Sequence, residues 1–326
     1  MADGARDGDA LSLPDLAAIC AAQARIAPYV HRTPVMTCRS LDETAGGRLF
    51  FKCENFQKVG AFKARGACNA VFALTDEAVR RGVVTHSSGN HGAALAYAAQ
   101  RRGVPAYVVM PDNAPKTKIA NVRGFGGNVH FCAPTLAARE AGCAEVAHEM
   151  GAALVHPYDD FQVIAGQGTA TLELLQDVPD LDVVIAPVGG GGLLSGTALA
   201  ATSLKPDIQV FGAEPQGADD AARSFASGKL QTMAQPATIA DGLRGALSAR
   251  TLHALRAKVV AIGTASEDGI ARAMRMTWER MKIVVEPSSA VPLACLLERT
   301  LDVAGKRVGI ILTGGNVDLD TLPWQR

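Results

Sequence analysis

The sequence predicts an α/β protein with mostly parallel strands, and three observations carry that prediction. Short apolar, β-rich runs alternate with Ala-rich helical stretches along the chain. Several of those runs, Val183-Val184-Ile185-Ala186 among them, are continuously apolar, as a strand is when helices cover both faces of its sheet. The 326 residues, 48% hydrophobic and 20% charged, are enough for one large or two medium domains with well-buried cores.

The elements follow in order. A helix is predicted over 14–29, then a strand at 49–53, where Leu-Phe-Phe-Lys-Cys gathers bulky β-formers, and a helix opening near Lys63. Gly82-Val83-Val84-Thr85 reads as a strand and 91–101 as a helix. Next come a strand at 106–110, a helix over 116–122, a strand at 129–132 and a helix over 136–150. A helix from Gly166 leads to the buried strand 183–186, then to a strand at 208–212, a helix over 267–281 and a last strand at 308–312. The middle block reads as self-contained. The expected division is therefore a small domain over 82–159 and a large one built from 1–81 and 160–326.

Charge and cysteine usage exclude several functions. Lys+Arg 32 against Asp+Glu 32 leaves no net charge, so the basic excess of a phosphate-backbone binder is missing. The seven cysteines are odd in number and never form C-x-x-C, which argues against a disulfide framework or zinc ribbon and predicts a reducing, cytoplasmic setting. The first ten residues, MADGARDGDA, lack the apolar core of a signal peptide. The uncharged stretch 183–204 has the length of a membrane span, but Pro187 and four consecutive glycines make it a strand, a glycine loop and a helix.

Four segments are candidates for chemistry. Gly189-Gly190-Gly191-Gly192 follows a buried strand and precedes a helix, where successive backbone N–H groups suit a phosphate dianion. The loop lacks the G-x-G-x-x-G fingerprint, although Glu214 after the next strand keeps a nicotinamide cofactor open as an alternative. In the segment from Asn55 to Gly66, Lys63 falls at a helix start, where the dipole and burial both lower its pKa, as a Schiff-base lysine requires; a solvated surface lysine is the plainer reading. Thr85-His86-Ser87-Ser88-Gly89-Asn90-His91-Gly92 offers hydroxyls, an amide and an imidazole at a helix N-terminus, suited to a small carboxylate or to ordinary N-capping. Thr313, in Leu312-Thr313-Gly314-Gly315-Asn316, is a hydroxyl placed to bond a ring atom.

Together these segments resemble the fold-type II pyridoxal-phosphate enzymes, and among them the serine racemase and serine/threonine/3-hydroxyaspartate dehydratase group. The resemblance runs from His31-Arg32-Thr33-Pro34 to Gly315-Asn316-Val317-Asp318 and includes Ile164-Ala165-Gly166-Gln167-Gly168-Thr169 and Ile283 to Ser288. It implies two open, mostly parallel sheets flanked by helices, the tryptophan synthase β-like fold, and pyridoxal 5'-phosphate as cofactor. By this resemblance Lys63 carries the Schiff base, Phe62 packs beside the ring, Asn90 bonds the phenolic oxygen and Thr313 meets the pyridine nitrogen. Gly189, Gly190, Gly191, Gly192 and Leu193 cup the phosphate. Ser87, Ser88, Gly89, Asn90 and His91 clamp the substrate α-carboxylate, with Ser88 as the acid/base opposite the lysine in racemase-like members.

The resemblance also implies a divalent cation, Mg²⁺ or Ca²⁺ or Mn²⁺, on Glu214, the Ala218 carbonyl and Asp220, where the plainer reading is an acidic helix N-terminus. Arg139 matches an arginine that reaches a second substrate carboxylate, and Arg244 lies in a loop that would assist. Two departures stand out. Cys38-Arg39-Ser40 replaces the serine-rich stretch linked to ATP binding in the animal racemases, and Gly245-Ala246 replaces their substrate-facing pair of serines.

The activity these residues imply is elimination of water from a β-hydroxy amino acid, with 3-hydroxyaspartate to oxaloacetate and ammonia favoured and L-serine or L-threonine as further substrates. The main alternative is a serine racemase with dehydratase side activity. A nonenzymatic ligand sensor would have dispensed with Lys63 or the 87–91 clamp, and both are intact. A homodimer is implied by the resemblance alone.

Overall fold

The structure is a computed structural model that describes residues 11–87 and 89–325. Among the described residues ten strands form two sheets. The first contains β1 (Val35–Met36), β2 (Arg48–Cys53), β7 (Val183–Pro187), β8 (Gln209–Pro215), β9 (Ala261–Ala265) and β10 (Arg307–Leu312), in the order β1-β2-β10-β7-β8-β9. The second contains β3 (Val83–His86), β4 (Ala106–Pro111), β5 (Asn128–Cys132) and β6 (Ala153–Leu154), in the order β5-β4-β3-β6. Only the β1 to β2 pairing is antiparallel.

Burial explains why the sheets read as apolar runs. Val183 to Pro187 are all buried, and so are Leu49 to Cys53 and Val308 to Leu312, because helices lie on both faces. One face of the larger sheet packs on the helices Glu267–Met281 and Pro287–Leu297, the other on Phe161–Asp177 and Gly192–Leu204. Lys52, fully buried in β2, is the polar exception; its ammonium is paired with Glu173 at 2.7 Å and bonded to the Thr33 carbonyl.

Several elements went unpredicted. While the helix Asp220–Ser227 begins where an acidic helix N-terminus is the plainer reading, the short β1 and β6, the strand β9 and the helices Arg39–Ala45, Ala249–Lys258 and Pro287–Leu297 lie outside the predicted set. Two-residue strands carry no period. Ala-Ile-Gly-Thr-Ala is too small-sided to resemble a core strand, and Pro292 lies inside the last of these helices. The helix predicted over 14–29 is shorter, Leu16–Ile26, with Asp15 as its N-cap.

Parallel strands bring all their C-terminal ends to one side, where an open α/β sheet binds ligands. Lys63 follows β2, the 87–91 segment follows β3, the glycine run follows β7, Glu214 ends β8 and Thr313 follows β10. Loops that follow strands of both sheets line one cavity.

Candidate active site

The loop after β2 is held against the end of β10 mainly by backbone bonds. Phe62 N–H donates to the Thr313 carbonyl at 2.9 Å, Gly315 N–H donates to the Gly60 carbonyl at 2.9 Å, and Ala61 bridges Gly314. Asn316 locks the corner by donating to the Val59 carbonyl at 2.8 Å. These bonds deliver Lys63 into a cavity as the first residue of its helix. Its Nζ donates to the Pro157 carbonyl at 2.8 Å and lies 5.2 Å from the Phe62 ring centroid. Burial pushes its pKa down to about 8, with no carboxylate opposing the shift.

Opposite stands the glycine run. Gly191 has φ +86°, and a Cβ on Gly189 would stand 3.0 Å from the Leu243 Cα. A Cβ on Gly192 would meet the Tyr158 Cβ at 2.9 Å, and one on Gly190 would collide with the Tyr158 ring. Only glycine leaves this cradle open, at the start of the helix Gly192–Leu204, whose first N–H groups have no partner within the helix.

The same cavity is lined by Phe62, Ser87, Gly89, Asn90, His91, Arg139, Leu193 and Thr313 as well as by Lys63 and the four glycines. The structure thus gathers these predicted residues at one place; Ser88 lies outside the described residues. The Asn90 amide donates to Glu286 at 2.8 Å and accepts from Asn316 at 3.0 Å, which orients it and leaves one N–H available. Thr313 Oγ1 lies 3.0 Å from Ser289 Oγ, which also donates to the Gly314 carbonyl at 2.7 Å. Ser87 Oγ accepts from Gly89 N–H at 3.1 Å. Arg139, from the helix Leu136–Met150, bonds the Thr135 carbonyl at 3.4 Å through Nε and forms no ion pair among the described residues. Arg244 also lines the cavity and donates to the Thr238 carbonyl at 2.6 Å.

Other site groups escaped the sequence reading. Lys118 reaches in from the helix Lys116–Gly124, pairs with Asp241 and stands 3.9 Å from Glu286. Burial works against its charge, but Glu286 and Asp241 outweigh it and hold the ammonium charged. Burial pushes Glu286 up to about 7 despite Lys118. Lys118 follows a strand end just as Lys63 does, and that parallel was the available signal. His86 and His156 are each pushed down to about 4 by burial, and His91 is lowered for the same reason, so the imidazoles around Lys63 are neutral.

Glu214, Ala218 and Asp220 lie apart, at the end of β8. Both Glu214 oxygens accept backbone N–H bonds, from Ala221 at 2.9 Å and Ala222 at 2.8 Å, while Asp220 Oδ2 is buried without a partner among the described residues. Burial pushes Glu214 up to about 8 and raises Asp220. Among the described residues no three His, Cys, Asp or Glu side chains cluster as a metal site. Two carboxylates and a carbonyl, with one oxygen orphaned, nevertheless fit a hard divalent cation.

A buried lysine free of acidic partners, facing a glycine cradle at a helix start, is a fit for an aldehyde that carries a phosphate. The family model for "Pyridoxal-phosphate dependent enzyme" matches residues 26–314. The chain belongs to this family. Within the pyridoxal-phosphate dependent enzymes it is 51% identical over 312 residues to the β-hydroxyaspartate dehydratase of Paracoccus denitrificans, covering 96% of this chain and 99% of that one. It is 50% identical over 307 residues to the serine racemase of Dictyostelium discoideum, covering 92% and 94%. Among solved structures, maize serine racemase superposes with TM-score 0.93 at 50% identity, covering 96% of this chain and 97% of that one. Two mostly parallel sheets flanked by helices are the fold of these neighbours, as predicted. No helix among the described residues is long and apolar enough to cross a membrane.

Proposed function

We propose that this pyridoxal-phosphate dependent enzyme is a dehydratase, an ammonia-lyase that converts 3-hydroxyaspartate to oxaloacetate and ammonia, with activity on L-serine and L-threonine. One observation carries the choice of substrate: Arg139 lines the same cavity as Lys63, and its guanidinium has no carboxylate partner among the described residues. A bidentate cation in reach of the reacting centre suits a second substrate carboxylate. The 51% identity to a β-hydroxyaspartate dehydratase supports the same reading.

Phe62, Lys63, Asn90, the cradle from Gly189 to Leu193, and Thr313 would hold the cofactor, which when bound supplies the electron sink for the α-carbanion. The chain's own groups do the rest. Lys63 Nζ, its ammonium destabilised by burial, removes the α-proton and returns it to the departing hydroxyl. Ser87, Ser88, Gly89, Asn90 and His91 hold the α-carboxylate at the start of the helix Asn90–Arg102. Lys118, charged and tied to Asp241 and Glu286, links the helix Lys116–Gly124 to the opposite wall of the cavity and favours exclusion of water.

A cation on Glu214, the Ala218 carbonyl and Asp220 would bind apart from the cavity and brace the end of β8. We further propose a homodimer in the cytoplasm, with residues 82–159 as a small domain that closes on the body built from 1–81 and 160–326. Serine racemisation is the second reading, favoured by the Dictyostelium relative and by the hydroxyl at Ser88.

The test is a parallel time course of 2-oxo acid, ammonia and D-amino acid from L-serine, L-threonine and the separated 3-hydroxyaspartate stereoisomers. Oxaloacetate formed far faster than pyruvate supports the dehydratase; dominant L-serine turnover with D-serine appearing supports the racemase. Ser88→Ala then separates the two activities, since D-serine formation should vanish while elimination largely survives.

A further inference from the structure

His86 is the last residue of β3, a buried imidazole 4% exposed, and among the described residues neither of its ring nitrogens has a hydrogen-bond partner. Buried polar atoms are almost always paired, so an orphaned imidazole facing a ligand cavity asks what it binds. Strand alternation says where it points. Val84 packs with Cys143 and Val146 of the helix Leu136–Met150, so the even-numbered residues of β3 face that helix. His86, two residues on, faces the same side, and that helix supplies Arg139 in its first turns.

The groups acting on His86 from the packed elements are the His156 ring, 5.3 Å away and edge-on, the Arg139 guanidinium and the Lys63 ammonium. No acid is among them. Lys and Arg are donors only, whereas a neutral imidazole also offers an accepting nitrogen. His156 is committed, its Nδ1 accepting from Asp159 N–H at 2.9 Å, while His91, whose ring nitrogens are also unpaired among the described residues, belongs to the segment proposed to hold the α-carboxylate. A substrate carrying a carboxylate and a hydroxyl on its β-carbon finds donors for the carboxylate here, but its hydroxyl proton needs an acceptor.

We infer that His86 accepts the hydrogen bond of the substrate's β-hydroxyl and so determines specificity for amino acids bearing a hydroxyl on the β-carbon. The inference rests on the proposed use of the cavity for such a substrate. With its O–H held by His86, the hydroxyl turns a lone pair toward Lys63. The C–O bond breaks, the oxygen leaves as water with the proton Lys63 took from the α-carbon, and His86 neither gains nor loses a proton.

The test sets a hydroxyl leaving group against one that needs neither proton nor acceptor. Holoenzyme variants His86→Leu and His86→Asn are compared with the unaltered protein on 3-hydroxyaspartate, L-serine and β-chloro-L-alanine, with cofactor absorbance confirming loading. In His86→Leu, kcat/KM for the hydroxylated substrates should fall about 10- to 100-fold, the usual worth of one buried hydrogen bond, and β-chloroalanine turnover should change less than about threefold. His86→Asn, whose amide oxygen also accepts, should recover part of the loss on the hydroxylated substrates alone. An equal fall on all three substrates, or no fall, overturns the inference. If Leu prevents loading, His86→Phe keeps ring volume without an acceptor, and the same ratio is read. Should the unaltered protein ignore 3-hydroxyaspartate, the Arg139 reading fails, while the comparison of serine with β-chloroalanine still decides the role of His86.

Discussion

Lys63 Nζ donates to the Pro157 carbonyl at 2.8 Å, which ties the helix that follows β2 to the segment leading out of β6. The lysine is thereby held between the two sheets by that carbonyl. Lys63→Ala should abolish turnover. In the apoprotein, the rate of aldehyde capture should rise with pH and level off above about 8, because burial favours the neutral amine and only the neutral amine attacks a carbonyl. Stopped-flow absorbance on adding pyridoxal phosphate measures this; a rate still rising steeply through pH 10 would show an ordinary exposed lysine.

The glycine cradle and Tyr158 form one packed unit. A Cβ on Gly190 would enter the Tyr158 ring, so Gly190→Ala should weaken cofactor affinity by about 100-fold through displacement of that ring. Adding Tyr158→Ala should restore part of the loss, because the two sites touch and their effects cannot be additive. Fluorescence titration of each apoprotein reads the cycle.

Arg139→Ala should lower kcat/KM for 3-hydroxyaspartate about 10- to 200-fold, the worth of a charge-assisted pair, and leave L-serine within about threefold. Equal losses on both substrates would assign Arg139 to structure.

Arg65 is fully buried, with Glu54 at 2.7 Å and Glu173 at 2.7 Å, and joins the end of β2 to the helices Lys63–Ala73 and Phe161–Asp177. Burial opposes its charge, and the two carboxylates overcome that opposition. Arg65→Met leaves Glu54 and Glu173 buried with one cation fewer, which should cost about 3–5 kcal/mol. Urea unfolding of the apoprotein measures it.

Mg²⁺ or Ca²⁺ should raise the melting temperature by a few degrees at about 100-fold excess over Kd, a gain of about 2.7 kcal/mol. Asp220→Asn and EDTA should both remove that gain. An unchanged melting curve would leave Glu214 as nothing more than the acceptor for the Ala221 and Ala222 amides.

Much of this was legible in the chain. Glycines at a strand-to-helix junction, a lysine at a helix start and a hydroxyl after the last strand are local signals, written in consecutive residues that share one element boundary. Lys118, Glu286, Tyr158 and Ser289 were not legible. Each matters through a contact distant in sequence, such as Ser289 to Thr313 or Tyr158 to Gly190, and no period or motif at its own position announces it. The sequence by itself determined the α/β class, a glycine run at a strand-to-helix junction and a lysine at a helix start, because hydrophobic period and turn chemistry are properties of adjacent residues. The tertiary structure alone decided which groups share a cavity and that, among the described residues, Arg139 lacks an acid and His86 a partner, because burial and pairing depend on how two sheets meet.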